Sequence, residues 1–261
     1  SWSVDRMSEL RKLEALPADA QIAVRLTLDR GGAAYDFGSK FGADPATCVA
    51  LLTEIARRGF TPSMTFHPGT QCTDAQAWTD YIAVCAKVAS MAGVKLASLN
   101  VGGGFPVQDA SDGAGFAPIF EAIKSATAQK FGSNAPVLWC EPGRAMVSDA
   151  QWLLLKVKAR CGETVFLNDG LYGVLGEWRD MPLPGQRTVF DVGGQARHAT
   201  PHPFTVFGPT CDSLDRVPGT WDLPGDIAEG DHILIRSAGA YTTALVTRFN
   251  GYGTQCQVEL S

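Results

Sequence analysis

Four times in its first 150 residues the chain carries a short β-branched apolar run, and amphipathic stretches separate the runs before the alternation stops. The apolar runs cover residues 22–29, 62–67, 94–101 and 136–141, and the amphipathic stretches 45–58, 74–92 and 115–131. Asp44 followed by Pro45 has the chemistry of a helix start, a side-chain acceptor and then a residue whose missing N–H costs nothing there. Asp74 after Thr73 is a second such start, and Gly59 and Gly93 stand where the two helices should stop. Strand and helix alternating in this way predict a parallel sheet.

The count constrains more than the pattern does. A closed parallel barrel needs eight strand-plus-helix units of roughly 30 residues each. Four units supply half a barrel, or else an open four-stranded sheet, and length alone does not choose between them. Beyond residue 150 the rhythm changes: Pro, Gly and Asp surround short apolar runs at 153–159, 188–192, 204–207, 232–235 and 240–249. Such spacing predicts an antiparallel sandwich or barrel. The expected organisation is therefore α/β over residues 1–148 and a β domain over 149–261.

Charge and composition remove several classes of function. With 22 Lys and Arg against 27 Asp and Glu, the net charge is −5, and no basic run offers a surface to nucleic acid or anionic membrane. No apolar run approaches the ~18 residues a membrane helix needs. The seven cysteines are scattered, with no CxxC pair, which predicts reduced thiols and a cytoplasmic setting. His198 and His202 are four apart but share a proline-containing loop, so no metal site is expected.

Three strand ends carry chemistry. The run 94–101 leads into Gly102, Gly103 and Gly104, which serve either a tight turn or close backbone approach to an anion such as phosphate. The run 136–140 leads into Glu141-Pro142-Gly143-Arg144, an acid and a base where parallel folds keep active sites, or else a surface ion pair. His67 closes the run 62–66, where a lone histidine is more often merely hydrogen-bonded than catalytic. One rim carrying all three is stronger than any one of them.

The chain resembles the ornithine/diaminopimelate/arginine decarboxylase family, which is pyridoxal 5'-phosphate (PLP) dependent and has an alanine-racemase-like barrel and a C-terminal β domain. The resemblance rests on GGGFP at 102–106, EPGR at 141–144, GPTCDSLD at 208–215, GAY at 239–241 and FNGY at 249–252, in that order, with SKFGA at 39–43 and FHPGT at 66–70 beside them. Cys211-Asp212 places it in the ornithine-type branch. The fold implied is the C-terminal half of a parallel (β/α)8 barrel followed by an antiparallel β-sandwich or barrel. The activity implied is decarboxylation of a basic amino acid, ornithine or lysine, to a diamine. The alternatives are a non-catalytic homologue that binds or regulates, and an inactive fragment that lacks the Schiff-base lysine.

Site roles follow from the same resemblance. His67 would stack on the pyridine ring, and Glu141 would pair with its nitrogen. Thr70, Gly102, Gly103, Gly104, Gly143, Arg144 and Tyr241 would hold the phosphate, with Arg25 near the cofactor. Cys211 and Asp212 would act across a homodimer interface, the thiol protonating the substrate carbon and the carboxylate holding its distal amine, aided by Glu177 or Asp180. Lys40 would pair with Asp215 of the other subunit. None of the eight lysines lies in a motif like that of the family's Schiff-base lysine, and Ser1 matches a point midway through the family's barrel. The N-terminal barrel half would then lie on a segment outside this sequence.

Overall fold

The computed structural model describes residues 2–28, 40–107, 115–181, 186–253 and 256–259. It divides into two units, Ser1–Ala145 and Met146–Ser261.

In the first unit, strands β1 (Trp2–Val4), β2 (Gln21–Arg25), β3 (Thr61–Thr65), β4 (Ser98–Asn100) and β5 (Val137–Trp139) form one sheet in sequential order, parallel throughout. Helices α1 (Met7–Arg11), α2 (Pro45–Arg57), α3 (Ala75–Ala92) and α4 (Ala117–Phe131) lie between successive strands. The helix starts form as their chemistry dictates. Asp44 Oδ1 accepts from the N–H groups of Ala46 (2.9 Å) and Thr47 (3.1 Å), and Asp74 Oδ1 accepts from Gln76 N–H (2.9 Å). Gly93 closes α3 in the left-handed conformation, φ 67°.

Five strands replace the four expected. The additional one is β1, which precedes the first apolar run of the alternation. Three residues are too few for periodicity to register, and only pairing defines it, Trp2 with Ile22 and Val4 with Val24.

The two faces of this sheet differ sharply. Val4, Ile22, Val24, Leu26, Met64, Phe66, Leu99 and Val101 form one face and pack with Leu51, Leu52 and Ile55 of α2 and Trp78, Ile82 and Cys85 of α3 into a single buried core. Gln21, Ala23, Arg25, Ser63, Thr65, Ser98, Asn100, Val137 and Trp139 form the other. There Gln21 Nε2 donates to Ser98 Oγ (2.6 Å), and Ser98 Oγ lies 3.2 Å from Ser63 Oγ. Val137 and Trp139 are each 62% exposed. Parallel sheets are ordinarily covered on both faces; in this unit the apolar core covers one.

The second unit holds β6 (Leu153–Cys161), β7 (Thr164–Leu167), β8 (Arg187–Phe190), β9 (Pro201–Phe207), β10 (Trp221–Pro224) and β11 (His232–Ile235), in sheet order β10-β9-β7-β6-β11-β8. Inward-facing Leu155, Val157, Val165, Leu167, Phe204, Val206, Leu223, Ile233 and Ile235 build its core with Trp178 and Trp221. Two expectations are corrected. The sheet is not wholly antiparallel, because β7 and β9 run parallel. The run 240–249 forms turns rather than a strand. Its backbone is bent by positive φ at Tyr241 (60°), and the Thr247 N–H and Oγ1 both go to Tyr172 O (2.9 and 2.7 Å) instead of into a ladder.

Among the described residues, no helix is long and apolar enough to cross a membrane, and no group of three or more His, Cys, Asp or Glu side chains is placed to hold a metal ion.

Candidate functional site

The polar face of the first unit's sheet opens into a cavity of about 550 Å³, within the range of small-molecule sites. Arg25, His67, Asn100, Trp139 and Glu141 line it, each at or just beyond the C-terminal end of its strand. Parallel order explains the convergence, since strands running the same way present all their C-terminal ends on one rim.

Backbone hydrogen bonds tie the strand-end loops together. Glu141 N–H donates to Gly102 O (2.8 Å), Phe66 N–H to Asn100 O (3.1 Å) and Cys72 N–H to Gly104 O (2.9 Å). The three glycines are required by this crowding. A Cβ on Gly102 would fall 2.2 Å from Phe66 O, one on Gly103 2.4 Å from Glu141 O, and one on Gly104 1.9 Å from Gly69 O. Gly104 also has φ +80°, a region side chains disfavour. The choice between a tight turn and a ligand cradle thus acquires a third member, loop-to-loop packing.

Of the N–H groups expected to hold a phosphate, two have protein partners. Gly102 N–H donates to Asn100 Oδ1 (2.9 Å), and Gly143 N–H to Glu141 O (2.9 Å). Gly103 and Gly104 differ: among the described residues neither N–H has a protein acceptor, although Gly103 is buried. Buried N–H groups are nearly always paired, so this pair of donors suits an anionic ligand. Thr70 is half-buried and Arg144 is buried at 8% exposure; neither lines the cavity.

His67 is set up as a neutral ring. Gly69 N–H donates to its Nδ1 (3.1 Å), so the proton sits on Nε2. Burial lowers its pKa, the Arg25 charge lowers it further, and Glu141 opposes both. Lys12, Lys40, Lys87, Lys95, Lys124, Lys130, Lys156 and Lys158 are all described, and none lines the cavity.

The remaining site residues belong to the second unit. Cys211 is exposed, and its Sγ accepts from Asn250 Nδ2 (3.1 Å). Asp212 accepts from the Tyr172 hydroxyl and from Leu214 N–H (2.9 Å). The Tyr172 bond holds the Asp212 carboxyl below its ordinary range and raises the phenol above its own. Phe249 lies on Tyr172 (4.6 Å between centroids), and Arg179 reaches over the same ring. Glu177 and Asp180 sit in and after the short turn that follows, with Asp180 exposed. Tyr241 is exposed at 49%.

Asp215, expected to pair with a partner's Lys40, has contacts within its own unit. It is 1% exposed and accepts from Leu171 N–H (2.8 Å), Thr210 N–H (3.1 Å) and Thr210 Oγ1 (2.8 Å), so burial within its own unit commits both oxygens. Lys40 lies over the Phe41 ring at 5.1 Å.

Residue-level reasoning missed Asn100, Trp139, Tyr172 and Asn250. A polar residue inside the last two positions of the apolar run, Asn100, was a usable signal. Tyr172 carried none, because its partner is 40 residues away.

A family profile described as "Pyridoxal-dependent decarboxylase, pyridoxal binding domain" matches residues 1–148. The chain is 30% identical over 264 residues to a lysine/ornithine decarboxylase of Selenomonas ruminantium, covering 96% of this chain and 64% of that protein. It is likewise 30% identical over 284 residues to antizyme inhibitor 2 of Xenopus laevis, covering 95% and 58%. It therefore spans less than two thirds of either relative. The crystal structure of the Paramecium bursaria Chlorella virus arginine decarboxylase bound to agmatine superposes with a TM-score of 0.82 at 25% identity, covering 97% of this chain and 69% of that one. With the profile matching more than half its length over the very unit that carries the cavity, the chain belongs to the pyridoxal-dependent decarboxylase family.

Proposed function

We propose that this chain is the larger part of a PLP-dependent decarboxylase that converts a basic amino acid, ornithine or lysine, to its diamine. The observation that carries the reading is one set of parallel strand ends: the Glu141 carboxylate and the neutral His67 imidazole line the cavity there, and in the adjoining loop the Gly103 and Gly104 N–H groups have no protein acceptor among the described residues. Those residues fit the cofactor's three chemical demands, an acidic partner for a pyridine nitrogen, a flat apolar partner for its ring, and donors for a phosphate.

When bound, PLP supplies an electron sink for the charge left as CO₂ departs. Glu141 keeps the ring nitrogen protonated, which keeps that sink deep. His67, neutral because it is partly buried beside Arg25, stacks on the ring without adding a charge. Gly103 and Gly104 N–H bind phosphate, with Thr70, Arg144 and Tyr241 contributing. Cys211 delivers a proton to the substrate carbon, and ionised Asp212 binds the distal ammonium in a site shared between two subunits.

The finer fold reading goes with this. The five-stranded sheet is the C-terminal half of a parallel (β/α)8 barrel spanning 1–148, and 149–261 is the β domain that supplies the shared loop. The uncovered polar sheet face supports that reading, because the other barrel half would cover it.

The test is release of labelled CO₂ from ornithine, lysine and arginine by the complete enzyme with PLP, alongside a PLP titration of its Glu141→Gln variant. The proposal expects release from ornithine or lysine, and in Glu141→Gln a turnover loss far larger than the loss of PLP affinity, because the phosphate contacts remain. Unchanged turnover in that variant overturns the Glu141 role. A second reading, a binding or regulatory homologue, is favoured by the absence of lysine from the cavity and by the likeness to an antizyme inhibitor. PLP binding without CO₂ release from any of the three amino acids would select it.

A further inference from the structure

Cys211 and Asp212 are adjacent in sequence, yet each is gripped by a different distant segment of the second unit. Tyr172 O–H donates to Asp212, and Asn250 Nδ2 donates to Cys211 Sγ at 3.1 Å. The two gripping segments are themselves joined. The Phe249 ring lies 4.6 Å from that of Tyr172, and Thr247 Oγ1 donates to Tyr172 O (2.7 Å). Asn250 has φ 53°, a left-handed conformation that non-glycine residues seldom adopt and that Asn tolerates best. A left-handed turn held between a ring contact and a thiol contact is a feature of a placed side chain.

We infer that Asn250 is a positioning residue for the Cys211 thiol, its amide N–H occupying a sulfur lone pair so that the S–H proton is directed away toward substrate. This rests on the proposed role of Cys211 as proton donor. The donated N–H takes none of the thiol's own hydrogen. When the S–H bond breaks and the proton joins the substrate carbon, the bonding pair stays on sulfur as a thiolate, and the Asn250 N–H already faces that charge. Charge-assisted hydrogen bonds are stronger than neutral ones, so the contact tightens as the proton leaves. Tyr172 does the equivalent for Asp212, whose carboxylate it holds ionised.

The experiment is alkylation of the whole chain by iodoacetamide, quantified peptide by peptide across pH, without cofactor or turnover. Cys161, exposed in the same unit, is the internal reference, and Trp178 and Trp221, buried in that unit, report by near-ultraviolet circular dichroism that its fold persists. Asn250→Gly removes the amide while keeping a residue at ease with positive φ, and Asn250→Asp keeps the bulk while removing the donor. A hydrogen bond to sulfur restrains thiolate attack. In both variants the high-pH plateau rate of Cys211 relative to Cys161 should therefore rise by on the order of two- to tenfold, the value of one hydrogen bond. In the decarboxylase assay the same variants should lower kcat by a similar factor with KM unchanged.

An unchanged plateau ratio in both variants overturns the inference. A rise in Asn250→Gly alone also overturns it, because the amide would then only shield the sulfur. If that tryptophan signal is lost in one variant, the other decides. A protein that labels as expected yet releases no CO₂ refutes the decarboxylase proposal while leaving the Asn250 contact standing, so the two failures are separable.

Discussion

The glycine triad offers a quantitative test of why those residues are there, because the structure separates backbone conformation from crowding. Gly93 is left-handed (φ 67°) with open space where a Cβ would go, so Gly93→Ala should cost the conformational price alone, about 1–2 kcal/mol. Gly103 is the reverse case. Its φ is not positive, but a Cβ would lie 2.4 Å from Glu141 O, about 0.6 Å inside the 3.0 Å floor of real contacts. Overpacking of that kind costs about 1–3 kcal/mol. Gly104 has both problems, φ +80° and a Cβ 1.9 Å from Gly69 O, so Gly104→Ala should cost about 2–5 kcal/mol.

Urea unfolding of the three variants measures this, with labelling of fully buried Cys85 as a probe specific to the first unit. The expected order of loss is Gly104→Ala largest, with each of the others smaller. Gly103→Ala within about 0.5 kcal/mol of wild type, the scatter of ordinary surface changes, would refute the claim that the strand-end loops pack against one another. Gly104→Ala no worse than Gly93→Ala would do the same for the Gly69 contact.

Three other outcomes follow from particular contacts. Asp231 is 1% exposed and takes Arg197 Nε (2.5 Å), Arg197 Nη2 (2.9 Å) and Ala228 N–H (2.7 Å); Arg197→Met should cost about 3–5 kcal/mol in thermal or urea unfolding by stranding a buried carboxylate. Asp169 is buried, and burial raises its carboxyl above the ordinary value. Wild-type stability from this group is present at acid pH and lost as pH rises through the raised value, so the melting temperature of Asp169→Asn relative to wild type should climb over that interval; a flat difference from acid to neutral pH would contradict it. Borohydride treatment of the isolated chain with PLP should give no stoichiometric pyridoxyl adduct at any one lysine by peptide mass spectrometry, since none lines the cavity.

How much of this was legible in the sequence depends on distance along the chain. Helices α2 and α3 announced their starts, because Asp44 and Asp74 cap residues only two or three positions away and Gly93 stops its helix locally. The parallel sheet followed from alternation, and with it the meeting of His67, Gly102–Gly104 and Glu141 on one rim, since parallel strands present like ends together. The motifs around those residues, and GPTCDSLD, carried the family.

Tertiary structure decided the rest. Strand β1 is three residues long and exists only through pairing with β2, while β7 and β9 run parallel although nothing local distinguishes them from an antiparallel pair. Residues 240–249 have a strand's composition but turn on themselves, Leu245 N–H going to Tyr241 O and Thr247 N–H to Tyr172 O. The crowding that forces glycine at 103 and 104, the burial that commits Asp215, and the grips of Tyr172 on Asp212 and Asn250 on Cys211 all join segments about 35 to 44 residues apart. Periodicity and capping report the nearest turn of chain, whereas contacts of that separation are fixed only when the packed core sets the distance between segments.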